Sequence, residues 1–211
     1  KEEELKALKD YNAETRKKLT EIFEGKHDIP GAVKDLAKYA GADTEKILKS
    51  IVFESDRMVL QYAEKGKKAR DLGDKFTTDG NTRMAELANA EKVDCQQMLA
   101  KLYRDQAVAY LAMAKNKLDH GDDGTGAKDL LYNAANNPID LLPGNRRKSF
   151  NGAEGAIMMA ERFGDPNNPD LQQLRQQFNE LSDRVAPTIR ANYGNPHLNP
   201  NNVDNGLQRG K

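Results

Sequence analysis

Tryptophan is missing from this sequence, aromatic residues make up 6%, and Cys95 is the single cysteine. So few aromatics disfavour a deep, aromatic-lined small-molecule pocket, and one thiol forbids an internal disulfide. An excess of one charge is missing too, since Lys+Arg 33 balances Asp+Glu 33. Phosphate neutralisation supplies most nucleic-acid affinity. A chain with no basic excess, overall or in any long block, is therefore expected to bind no nucleic acid. The same balance argues against attachment through a polybasic surface. No apolar run approaches the roughly 20 residues that a spanning helix needs, and there is no signal-peptide core. Membrane insertion is not expected.

What the chain does have is charge and helical periodicity. Charged residues reach 31%, hydrophobic residues 37%, and the mean hydropathy is −0.84. The apolar share fills only a thin core, which suits an extended molecule better than a sphere. Leu5, Leu8, Leu19, Ile22 and Phe23 form one stripe at three-to-four spacing, predicting a helix over 2–24. A turn at 26–31 precedes a short helix with Ala32, Val33, Leu36, Ala37 and Ala40 inward. Asp43 or Thr44 is placed to cap the next helix. It carries Ile47, Leu48, Ile51, Val52, Met58, Val59, Tyr62, Ala63, Ala69, Leu72 and Phe76. Gly66 and Gly73 inside it mark weak points, a close helix contact or a bend. After a break at 77–81, a still longer series runs from Met84 through Cys95 and Leu102 to Leu118. Two helices of this length with a short loop between them should fold back as an antiparallel hairpin.

Shorter helices are predicted from Ala127 to about Asn136, from about Arg146 to Phe163, and from an Asp170 cap through Leu171, Leu174, Phe178, Leu181 and Val185. The chain from Asn192 on is rich in Asn, Pro and Gly and should be non-helical. No strand-like alternation is evident. The predicted fold is therefore all-α, with elongated hairpins around one long antiparallel pair. Its parts are N-terminal helices and the first arm over 1–80, the second arm and a helical bundle over 81–191, and an extended tail over 192–211.

Chemistry is sparse. His27, His120 and His197 fall in turns and tail with no second ligand at helical spacing, so no zinc site is expected. Asp119, Asp123 and Gly124 lie like part of a calcium loop, but Gly121 and Leu130 stand at ligand positions, and capping of a helix is the simpler role. The run from Gly124 to Ala127 opens a helix without the Lys-Ser/Thr of a phosphate loop. Cys95 lies in the apolar series with no histidine nearby in sequence, and reads as a small buried hydrophobe. The sequence thus predicts no catalytic residue, no metal and no cofactor. The candidate partner-binding residues are Arg146 and Arg147, in the one compact basic run, and Tyr193, Leu198, Val203 and Leu207. The last four are apolar anchors able to tether the tail, along its own helices or onto another molecule.

Tyr110, Met113 and Ala114, then Gly121-Asp122, then Ala127, Leu131 and Ala134, then Pro138, resemble a tetratricopeptide repeat. In that family small residues let two helix axes approach while a larger one plugs the groove. Here the turn is about one residue longer than the family's, and Lys117 stands where the family usually has an aromatic. The resemblance implies tetratricopeptide-like packing, protein–protein binding and no catalysis. Long paired helices, a start at Lys1 rather than Met and the Asn/Pro tail also resemble the sheath proteins of spirochaete flagella, such as the flagellar-coiling proteins. That resemblance implies an exported structural component, periplasmic or extracellular, involved in motility. Two functional readings follow. One is a non-enzymatic structural or protein-binding subunit that self-assembles or joins a protein partner. The other is a cytoplasmic tetratricopeptide-like adaptor gripping a partner peptide.

Overall fold

The computed structural model describes residues 29–36, 42–132, 137–139, 147–149, 152–193 and 197–198. The helix predicted over 2–24 lies outside them. The described chain is all-α apart from one small ribbon. Its helices are α1 (Ile29–Leu36), α2 (Ala42–Thr78), α3 (Thr82–Asp119), α4 (Ala127–Tyr132), α5 (Ala153–Phe163), α6 (Pro169–Arg184) and α7 (Pro187–Arg190), followed by a 3₁₀ turn at Ala191–Tyr193. No described helix is both long and apolar enough to cross a membrane.

α2 and α3, of 37 and 38 residues, each run roughly 55 Å at about 1.5 Å per residue. They form the expected antiparallel pair. Glu45 reaches Lys117, Asp56 reaches Gln106, Lys65 reaches Glu91, and Gly73 faces Ala88. Asn81 caps α3 by accepting from the Met84 N–H at 3.3 Å.

The two halves of α3 have different surroundings. Near the hairpin turn only one face is covered, and Met84, Leu87 and Val93 remain exposed. From Leu99 to Leu118 nearly every turn is buried on several sides, including Leu99, Leu102, Tyr103, Ala107, Ala109, Met113 and Ala114. α1, α2, α4, α5 and α6 all pack on α3. One apolar core continues from Ala32 to Leu198. Alanines on α3 and α5 let the axes close. At the end of α5, a Cβ on Gly164 would lie 2.8 Å from the Ala100 Cβ.

Several boundaries differ from the sequence reading. α1 begins at Ile29, because Pro30 is compatible with a first turn, where its missing N–H is not needed. α2 begins at Ala42, which puts Asp43 and Thr44 inside the first turn rather than at the cap. Asn168, not Asp170, caps α6, accepting from the Asp170 and Leu171 N–H groups at 2.9 and 3.4 Å. α4 is described only as far as Tyr132. The helix expected from Arg146 starts instead at Ala153. Before it, Arg147–Ser149 pairs antiparallel with Asn137–Ile139, with Asn137 opposite Ser149 and Ile139 opposite Arg147. Strands of three residues are too short to display a period-two pattern.

Gly73 faces Ala88 across the hairpin without being indispensable to the contact. A Cβ there would meet the Ala88 Cβ at 3.6 Å, an ordinary contact. Gly73→Ala should therefore stabilise the protein by up to about 1 kcal/mol through helix propensity. Thermal unfolding checks this, and a lowered midpoint would mean the two helices cannot accept the methyl group.

Candidate functional site

The junction between α3 and α4 is the most heavily hydrogen-bonded loop described. Asp122 turns its carboxylate onto the start of α4, where it accepts from the N–H groups of Gly124 (2.6 Å) and Gly126 (3.1 Å) and, at 3.4 Å, Ala127. Asp123 accepts from the Thr125 N–H and hydroxyl at 2.9 and 2.7 Å. These bonds hold the Asp123 carboxyl below its usual range, the Thr125 hydroxyl being the main cause. Asp119 pairs with Lys115 and Arg184. The carboxylates that resembled part of a calcium loop thus cap and brace the turn. The N–H groups that could have held an anion are occupied by Asp122. Among the described residues no three His, Cys, Asp or Glu side chains cluster as metal ligands.

The loop also docks on the end of α6. The Ala186 N–H donates to the Asp123 carbonyl at 2.8 Å, and Val185 packs over Gly124. Beside it, Tyr132 shares a hydrogen bond with Ser182, meets Phe178 edge-on at 5.6 Å and stacks on Tyr193 at 4.3 Å. Leu198 is buried, and its backbone exchanges two hydrogen bonds with the Asn179 amide, at 2.8 and 3.4 Å. Of the predicted anchors, Tyr193 and Leu198 therefore sit on the chain's own helices. Arg147 lies in the ribbon, while Arg146, Val203 and Leu207 lie outside the described residues. Within the tetratricopeptide-like set, Tyr110, Met113, Ala114, Ala127 and Leu131 are buried in the core. Pro138 lies in the ribbon, and Ala134 is outside the described residues.

A cleft of about 550 Å³ opens where α2, the second half of α3 and α4 meet. At one end, Glu45 is neutralised by Lys49 at 2.9 Å and Lys117 at 3.2 Å. The Lys49 hydrogen bond is the main cause of its lowered pKa. In the middle, Asp56 accepts from the Gln106 amide at 2.5 Å. Burial pushes its carboxyl above the ordinary range, the amide pulling it only part of the way back. Tyr103 and Tyr110 lie one turn either side of Gln106 on the same face of α3. Both phenols are raised by burial first and by the Asp56 charge second. Among the described residues, the buried Tyr103 and Ser55 hydroxyls have no hydrogen-bond partner. Val52, Leu130 and Phe53 supply apolar wall, and Phe53 is 73% exposed.

Sequence reasoning missed Asp56 and Gln106. Their one available signal was position, for each is polar and interrupts an apolar series at a point that helical spacing turns toward the partner helix. A second groove, of about 350 Å³, lies near the hairpin turn between Ala69, Gly73, Ala85 and Asn89.

Cys95 is buried in the hairpin seam, and desolvation raises its thiol pKa. A thiol reagent should label it at least tenfold more slowly in native buffer than in denaturant, because reaction needs local opening. Equal rates would place this face in solvent.

No protein-family model, curated protein or solved structure matches the chain.

Proposed function

We propose that this chain is a non-enzymatic, protein-binding or structural subunit of a larger assembly. The carrying observation is the exposed apolar surface along the hairpin. Leu60 on α2 is 61% exposed and Leu87 on α3 is 57% exposed, with Phe53, Leu72 and Met84 also in solvent. Large apolar groups on a long, otherwise charged helix pair are a feature of surfaces that meet another protein. The resemblance to flagellar-coiling sheath proteins gives this reading its exported form, periplasmic or extracellular and concerned with motility. The tetratricopeptide resemblance gives the adaptor form.

Photocrosslinking in the native host tests the reading. A benzoylphenylalanine at position 60 or 87 should give discrete adducts of defined mass, with itself or with one partner. The same group at the exposed Glu64 serves as control. Absence of adducts at both apolar positions, or an equal smear at all three, would sink the proposal. Fractionation of the same cells separates an exported subunit from a cytoplasmic adaptor.

A further inference from the structure

We propose that the cleft between α2, α3 and α4 is a recognition pocket for an arginine side chain carried by a partner polypeptide. The inference rests on the protein-binding reading above and names what the partner must present. Asp56 is the reason. It is a partly buried carboxylate whose described partner is one neutral amide. No described Lys or Arg forms an ion pair with it, although the cleft holds two lysines. Lys49 and Lys117 are both committed to Glu45 at the far end. Asp129, exposed on α4, adds a second negative charge to the opposite wall. The pocket as built is therefore short of one cation.

The shape selects the cation. A volume of about 550 Å³ takes one long side chain together with part of its neighbour. A guanidinium is planar, weakly hydrated and able to bond a carboxylate through two parallel N–H donors. Phe53 stands exposed at the rim, where the flat face of that group can stack. An ammonium would lose both the fork and the stacking. Val52 and Leu130 then meet the aliphatic stem and an adjacent apolar residue of the partner, which favours a peptide over a free small guanidine.

The probe is acetyl-Leu-Arg-Leu amide, titrated into isotope-labelled full-length protein and followed by amide shifts. Saturable shifts are expected at Val52, Gly126 and Leu130. Replacing the probe's arginine with citrulline, which keeps the shape and removes the charge, should weaken binding at least tenfold, and lysine should weaken it several-fold. Asp56→Asn should also weaken binding tenfold or more, and Phe53→Ala several-fold. Phe53 is too exposed for its loss to threaten folding. Equal binding of the citrulline probe, or no saturable shift in the unaltered protein, would overturn the proposal. Agmatine binding as tightly as the peptide would overturn the polypeptide part of it. Crosslinks at positions 60 and 87 with no peptide binding would leave the subunit reading standing and remove this pocket alone.

Discussion

Arg175→Ala is expected to lower the melting temperature by roughly 10 °C, from a loss of about 3–5 kcal/mol. Arg175 on α6 and Glu161 on α5 form an ion pair at 2.5 Å with both side chains almost wholly buried. Arg175 also donates to the Pro166 carbonyl at 2.9 Å, closing the loop between the two helices. Burial pushes the Glu161 carboxyl above its usual range, with the Arg175 guanidinium opposing that rise. Removing the cation leaves the acid desolvated and alone. An acid held above its unfolded pKa contributes stability that is full below the unfolded value and lost as pH rises. The deficit of Arg175→Ala should therefore be larger at pH 7 than at about pH 5, as urea unfolding at both values would measure. Arg175→Met combined with Glu161→Leu should recover most of the loss, because an apolar pair of similar volume avoids burying charge. A single variant as stable as the parent would mean the joint is open to water.

Gly124→Ala should cost about 2–5 kcal/mol, the sum of backbone strain and a forced contact. Gly124 has φ +112°, and a Cβ there would lie 2.5 Å from Val185 Cγ1 and 3.2 Å from the Val185 Cα. The valine methyl can turn aside, but the backbone atom cannot without moving the whole α6–α7 corner. Gly121 is the control. Its φ is +91° with nothing within 4 Å of a built Cβ, so Gly121→Ala should show the strain of about 1–3 kcal/mol alone. Denaturant unfolding of both isolates the contact. Equal losses would show that Val185 yields freely and that the corner is not fixed by this packing.

Much of the fold was legible because long helices announce themselves. The stripe from Leu48 to Ala69 and the series from Cys95 to Leu118 repeat at helical spacing over many turns, and only a hairpin buries both. Leu72, Met84 and Leu87 belong to the same periodic series yet lie in solvent. Periodicity tells which residues share a face, not whether a neighbour covers it. Boundaries failed where short-range chemistry had two good answers. Asn168 and Asp170 are both able caps, and the choice fell to whichever carbonyl faced the first N–H groups. The ribbon at 137–139 and 147–149 carried no local signal, since its pairing joins segments some ten residues apart.

The candidate site was barely legible. Asp56 read as one more charge on a charged helix. It became notable only because Gln106, fifty residues later, donates to its carboxylate where the fold partly buries it. Lys49 and Lys117 would have passed as available cations had Glu45 not claimed both.

By itself the sequence determined the all-α class, the antiparallel pair of long helices, the burial of Cys95 and the capping role of Asp123 before α4. Each follows from interactions between residues close in the chain or from a period long enough to average out exceptions. The tertiary structure decided that the second half of α3 is the centre of a bundle, that Arg175 and Glu161 are buried together, and that Tyr193 and Leu198 lie on the chain's own helices. It also decided that Asp56 meets the Gln106 amide and no described cation. These depend on which faces meet across long separations, and a charge or an apolar group acquires its energy only from what that meeting places beside it.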